Sequence, residues 1–216
     1  SIVALLSNGA ELWRYEGETR PYCIQAVRRW RSDYDAILVA LGDTQFQLLG
    51  LSRYGKEMFR TMLDFAPLHL HVEYGDPENR EPMVFLGGRG GEIELRHAMF
   101  GFPLARFQVS GPVRAFIPVV LSTGSTAVGW YAGSRFYLWQ RDQSLHEWDM
   151  NFDISDSASC HGNETTIIAK SDRGDFAQLF ENGVFKFWKD ARLDGLRTAG
   201  IGCCVSGVDK GIRLFL

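Results

Sequence analysis

The chain has 216 residues, 45% of them hydrophobic, and a formal net charge of -3. This length and hydrophobic content allow a buried core, while the acidic balance argues against a globally basic nucleic-acid-binding protein. No apolar run reaches the roughly 18 residues that a membrane-spanning helix needs, and no charged-then-apolar leader opens the chain. We therefore expect a protein without a membrane span that works in the cytoplasm.

A repeated pattern of short apolar runs dominates the sequence, and its clearest copy begins near residue 35. The runs Ala36–Leu41, Phe46–Leu51 and Met58–Leu63 are rich in aliphatic and aromatic residues and are separated by turn-forming residues. This pattern predicts a three-stranded antiparallel meander. Within Lys56–Phe65 the apolar residues also come close to helical spacing, so a local helix is the alternative there.

A short extended run precedes each copy of the meander. The starts of these runs are 45, 45, 41 and 43 residues apart, close to the period of about 40 to 50 residues of four-stranded propeller blades. Each repeat therefore predicts one four-stranded blade. The five runs are Cys23–Val27, Leu68–Val72, Val113–Leu121, Ile154–Ser159 and Arg197–Cys203.

The two ends of the chain resemble complementary halves of one repeat. The segment IVALLSNGAELWRYEG matches the last two strands of the unit, and the closing segment VDKGIRLFL matches its second strand. We therefore predict a single all-β domain over residues 1–216, a propeller of five four-stranded blades whose last blade is shared by the two termini. Such pairing removes an open sheet edge. The alternative is part of a larger propeller.

The repeats also resemble those of known propeller families. The phrases GAELWRYEG and YDAILVALGDTQFQLLGLSRYGKEMF look like the repeats of WD-repeat-like and quinoprotein-like β-propellers, in which the first pattern closes one blade and the second opens the next meander. The resemblance covers nearly the whole chain as a pattern of strands and turns. It implies the propeller fold.

The loop after the first inner strand is basic and aromatic. Arginine and tryptophan dominate binding hot spots, so this loop is a candidate site for a carboxylate-rich peptide or a nucleic-acid backbone. A solvated loop with its tryptophan under a neighbouring blade is the alternative. Two further arginines fall near the starts of inner strands, where side chains line the central channel. The candidate binding residues are Arg28, Arg29, Trp30, Arg31, Arg114 and Arg197.

Potential metal ligands alternate along one predicted inner strand. His69, His71 and Glu73 share a face, and two imidazoles with a carboxylate suit zinc or iron. Buried histidines bonded to the backbone are the favoured interpretation, because both faces of a blade pack against neighbours. The four cysteines show no metal-ligand spacing. The sequence therefore predicts neither a metal site nor another cofactor.

We hypothesise a non-catalytic propeller that acts as a protein–protein interaction scaffold within a multi-subunit assembly. A carbohydrate-binding propeller is the first alternative, but it needs similar residues at one place in every blade, whereas the turns vary from GDT to GGRGGE to GSR. A channel-sited hydrolase is the second. It requires two carboxylates about 5 to 10 Å apart, and of these the sequence offers only Asp156.

Overall fold

The computed structural model describes the chain except for a set of short segments. Within this described part the chain is all β and contains no helix, and hence none that could span a membrane. The predicted all-β class is therefore confirmed. The chain forms two compact units, Ser1–Val113 and Arg114–Leu216. The segments outside the described residues are 18, 29–34, 75–80, 143, 162–164, 182, 184, 189–192, 200–201, 208–213 and 216.

The first unit opens with a hairpin followed by a four-stranded antiparallel sheet. Strands β1 (Ile2–Leu5) and β2 (Glu11–Tyr15) form the hairpin. The sheet confirms the predicted meander, and β6 pairs with β5 in antiparallel register, so the local helix considered for Lys56–Phe65 is wrong. The strands of this sheet, in spatial order, are β3 (Arg20–Arg28), β4 (Asp35–Gly42), β5 (Phe46–Ser52) and β6 (Glu57–Leu63).

A second four-stranded sheet repeats the same topology. Its first strand lies beside β3, so the inner strands of the two sheets are neighbours. Meandering antiparallel sheets with adjacent first strands are the blades of a β-propeller. The strands of this second blade are β7 (Pro67–Glu73), β8 (Met83–Gly88), β9 (Glu92–His97) and β10 (Pro103–Gln108).

Both faces of β4 and β5, the central strands of the first blade, are largely buried, which explains their nearly continuous apolar sequences. On one face Leu38 and Leu48 pack in a cluster with Val84 and Leu86 of the second blade. The other face packs against the β1–β2 hairpin, through four buried side chains. These are Val39, Leu41, Leu49 and Leu51, against which Ile2, Trp13 and Tyr15 lie.

The second unit contains two further four-stranded blades whose inner strands are again neighbours. Its core includes buried side chains from both, among them Phe136 and Leu138 of the first and Ile167 and Leu179 of the second. The strands are β11 (Phe116–Val120), β12 (Thr126–Ala132), β13 (Arg135–Gln140), β14 (Leu145–Asp149), β15 (Asp156–His161), β16 (Thr165–Lys170), β17 (Phe176–Phe180) and β18 (Phe185–Trp188).

The last sheet of the described chain departs from the prediction. It consists of β19 (Leu193–Ala199), β20 (Gly202–Gly207) and β21 (Leu214–Phe215). The predicted single strand Arg197–Cys203 is wrong, because it spans the end of one strand and the start of the next. The Ala-Gly-Ile-Gly sequence there contains two turn-forming glycines. Leu214–Phe215 of the closing segment form the third strand of this sheet, in which Phe215 pairs with Cys204.

The complete blades confirm the β-propeller prediction. Each has the predicted strand order, and the neighbouring inner strands within each unit satisfy the arrangement that a propeller requires. In the described residues β1–β2 is a two-stranded sheet and β19–β21 a three-stranded one. A blade shared by the two termini, and a single domain over the whole chain, stay predictions.

Candidate interaction surface

The turn between β9 and β10 exposes two aromatic rings while its other side chains are buried. Ala98 and Met99 are 0% and 5% exposed and belong to the core between the first two blades. Phe100 and Phe102 are 65% and 48% exposed. Since exposing a phenylalanine forfeits on the order of 2 kcal/mol of burial free energy, a turn that exposes two of them is an unusual surface feature.

These two rings form a cluster with His97 at the end of β9. The His97 ring centroid lies 4.8 Å from that of Phe100 and 4.9 Å from that of Phe102. The two phenylalanine rings are nearly parallel, with centroids 6.4 Å apart. The Nδ1 atom of His97 accepts a hydrogen bond from the Met99 amide at 3.1 Å. We call His97, Phe100 and Phe102 the aromatic triad.

Backbone hydrogen bonds and close packing hold this turn in place. The His97 amide donates to the Phe102 carbonyl at 3.0 Å, and the Gly101 amide donates to the His97 carbonyl at 2.8 Å. Gly101 has a φ of +74°, and a Cβ atom there would overlap the Phe59 ring of β6. Arg96 donates to the Gly101 carbonyl at 2.7 Å. The triad is therefore presented on a fixed backbone.

The corresponding turn of the first blade exposes another aromatic side chain. Tyr54 is 63% exposed, and the Arg53 guanidinium lies over its ring, 4.7 Å from the centroid. The Trp13 indole packs against Gly55, and its Nε1 donates to the Arg53 carbonyl at 2.7 Å. This turn joins the third and fourth strands of its blade, as the triad turn does, so both belong to the same end of the sheets.

The predicted binding arginines are only partly described. Arg28 is the last residue of β3, and the following Arg29, Trp30 and Arg31 lie outside the described residues. Arg114 is exposed just before β11, where its amide donates to the Tyr131 carbonyl at 3.1 Å. Arg197 lies within β19. Their role in binding stays a prediction.

The weak metal candidates lie on β7, as predicted. Glu73 is 4% exposed. Burial lowers the pKa of His71, and the negative charge of Glu73 raises it by a smaller amount. His69, His71 and Glu73 face Gly87, Phe85 and Met83 across the ladder, none of which is a metal ligand of this type. Across the described residues no three His, Cys, Asp or Glu side chains are grouped to hold a metal ion.

Two groups with potential chemistry, the Asp156 carboxylate and the Cys23 thiol, have described surroundings. Asp156 begins β15 and lies 3.6 Å from the Lys170 ammonium. Cys23 is a free thiol on β3, and burial raises its pKa to about 11, with a smaller opposing effect from the Ala40 backbone. A thiol with so high a pKa is almost entirely protonated at neutral pH and is a poor nucleophile.

Sequence reasoning missed the aromatic triad. Aromatic residues recur throughout the strands, so Phe100 and Phe102 did not stand out from those that pack between blades. The available signal was the Phe-Gly-Phe sequence at a turn position, since connections between strands are usually polar.

Solved structures similar to this chain are β-propellers. The crystal structure of BBS1N in complex with ARL6DN, soaked with mercury, matches with a TM-score of 0.64 and 10% identity over 92% of this chain and 65% of that chain. The crystal structure of Saccharomyces cerevisiae Sqt1 matches with a TM-score of 0.64 and 11% identity, over 95% of this chain and 63% of that chain. This chain thus spans just under two thirds of their length. No family model and no curated protein sequence matches it.

Proposed function

We propose that this protein is a non-catalytic interaction platform that holds other proteins of a cytoplasmic multi-subunit assembly. The observation that carries the proposal is the aromatic triad, because exposed aromatic rings on a rigid backbone are typical of binding hot spots. The fold similarity to BBS1N, which is in complex with ARL6DN, supports a protein partner. The poorly nucleophilic Cys23 and the Asp156–Lys170 pair give no support to a catalytic role.

The triad makes this proposal testable by mutation. Replacing Phe100 and Phe102 together with serine removes the exposed rings but leaves the buried part of the turn, so we expect stability to change by no more than about 1 kcal/mol. Loss of a hot spot costs on the order of 2 kcal/mol or more in binding. The matched control replaces Val120 and Leu145, which are 38% and 40% exposed, with serine.

The experiment is quantitative affinity purification from cells, followed by mass spectrometry, on the wild type and both double variants. We expect specific protein partners to fall at least about tenfold in the triad variant and to be retained by the control. Retention of every partner by a folded triad variant would overturn the proposal. So would a monomer without protein partners that binds a glycan array, which would favour the carbohydrate-binding alternative.

A further inference from the structure

A cavity of about 270 Å³ lies within the first unit, between its first and second blades. One wall is the connection after β6, with Asp64 and Phe65, and the other is formed by the paired strands β9 and β10. All the residues that line it are described, and none of them belongs to the aromatic triad. Cavities for drug-sized ligands begin at about 300 Å³, so this one suits a single long side chain.

Gly88, at the end of β8, leaves room for two side chains of the cavity wall. A Cβ atom at this position would overlap both the Glu92 carboxylate and the Phe65 ring. The carboxylate and the ring therefore lie side by side over the glycine. The Oε2 atom of Glu92 also accepts a hydrogen bond from the Gly90 amide at 2.9 Å. The carboxylate is thus held in a fixed position next to an aromatic ring.

The Glu92 carboxylate has no cationic partner in the part of the chain that the structure describes. Arg106, the guanidinium that lines the cavity, is already engaged, since it lies 2.8 Å from Asp64 and 2.9 Å from Glu94. Arg89 of the β8–β9 turn is exposed and forms no described ion pair. Three carboxylates therefore line the cavity, and described arginines neutralise two of them.

A fixed carboxylate beside an aromatic ring suits a planar cation. A guanidinium donates two parallel hydrogen bonds to a carboxylate and stacks against aromatic rings. The apolar stem of an arginine side chain also packs along apolar surface while its charged end reaches a polar group. Both Phe65 and Glu92 are only partly buried. This wall therefore offers the two contacts that a guanidinium makes.

We propose that this cavity receives the arginine side chain of a partner protein. Its guanidinium pairs with Glu92 and lies against the Phe65 ring, and the Asp64 carboxylate, whose side chain is 73% exposed, adds to the local negative potential. The proposal rests on the proposed function for the source of the arginine. The cavity and the aromatic triad share no residue, so the two sites can be tested separately.

The test follows amide NMR spectra of the isotope-labelled full chain during titration with N-acetyl-arginine N-methylamide. The Gly90 amide is the direct reporter, because it donates to Glu92. Capped citrulline, which has the shape of arginine without its charge, is the ligand control. The variant is Glu92→Gln, which keeps an acceptor for the Gly90 amide. Asp43→Asn, at the exposed turn between β4 and β5, is the matched charge control.

We expect a saturable shift of the Gly90 amide at millimolar arginine, because one side chain makes few contacts. Binding should be about tenfold weaker in E92Q, which loses the charged acceptor. D43N and the triad double variant should bind within about twofold of the wild type. Capped citrulline should give no saturable shift, and added salt should weaken the binding of arginine.

The affinity purification used for the triad identifies the source of the arginine. Specific partners should fall at least about fivefold in E92Q and be retained by D43N. If E92Q retains every partner while the triad variant loses them, the cavity does not receive a partner's arginine, and the proposed function still stands. If E92Q loses partners that the triad variant retains, the cavity proposal holds and the role of the triad fails.

Three results of the titration would also overturn the proposal. The first is no saturable shift of the Gly90 amide up to the order of 10 mM arginine. The second is an equal shift with capped citrulline, which would show that charge does not contribute. The third is equal weakening by E92Q and D43N, which would show that the effect comes from the overall charge of the protein and not from this carboxylate.

Discussion

A single buried arginine connects the first two blades. Arg96 of β9 is 3% exposed, and its Nε atom lies 2.9 Å from the carboxylate of Glu94, which is 0% exposed. The guanidinium also donates to the Thr61 hydroxyl at 3.0 Å and to the Met62 carbonyl at 3.1 Å, both on β6. Arg106 closes the network through a further ion pair with Glu94 at 2.9 Å.

Replacing Arg96 with methionine should destabilise the protein strongly. The change leaves a buried carboxylate with one fewer counter-charge and removes the Arg96 donor from two backbone carbonyls, so we expect a loss of about 3 to 5 kcal/mol in the free energy of unfolding. The control is Arg60→Met, because the Arg60 side chain is 35% exposed in its pair with Glu57. This replacement should lower the free energy of unfolding by about 1 kcal/mol or less. Urea unfolding measures both, and equal losses would contradict the argument.

Neither this ion pair nor the aromatic triad was predicted from the sequence. Charged residues at alternate positions of a strand, such as Glu94 and Arg96, ordinarily mark a solvent-exposed face. Their burial depends on Thr61 and Met62, which approach from another blade. No local pattern in the sequence indicates that tertiary contact. Phe100 was obscured for the opposite reason, since its residue type normally indicates a core position.

At the level of strands the sequence was far more informative. Repetition fixed the first meander to within about one residue, because three apolar runs between turn residues recur at the same spacing in successive blades. The prediction failed in the region Arg197–Cys203, which spans the end of β19 and the start of β20. Inner strands were the least accurate, since β3 and β15 extend beyond their predicted ends.

Turns of the blades differ in how much they tolerate substitution. Gly91 and Gly124 both have positive φ, at +91° and +80°. A Cβ atom at Gly91 would overlap the Val109 carbonyl oxygen and lie 2.7 Å from that of Gly111, whereas one at Gly124 has nothing within 4 Å. The two positions therefore carry the same backbone conformation with different surroundings.

Replacing each of these glycines with alanine separates the cost of the backbone conformation from the cost of a clash with neighbouring atoms. Gly124→Ala should lower the free energy of unfolding by about 1 kcal/mol, because only the left-handed backbone conformation disfavours alanine there. Gly91→Ala adds a clash with backbone that cannot move aside, so we expect about 3 kcal/mol or more. Urea unfolding of both variants is the measurement. A Gly91→Ala variant no less stable than Gly124→Ala would show that the β8–β9 turn is readily rearranged.

For the whole molecule, the sequence predicts the blades better than it predicts which connections between strands form binding surfaces. Blades are set by strand periodicity, which every repeat shares. The connections that form binding surfaces vary independently, from the Arg53–Tyr54 turn to the turn with Phe100 and Phe102. The candidate surfaces therefore became visible only when the exposed fraction of each side chain was known.

The prediction of one domain over 216 residues can be tested through cooperativity. Each compact unit has its own buried core, so a single domain requires that a lesion in one unit destabilises both. We expect Arg96→Met, in Ser1–Val113, to lower the urea midpoint of hydrogen-exchange protection equally in peptides from both units, because the parts of a single cooperative domain unfold in one transition. Pulse-labelling mass spectrometry reports each unit separately. If peptides from Arg114–Leu216 keep the wild-type midpoint while those from the first unit shift, the chain consists of two domains.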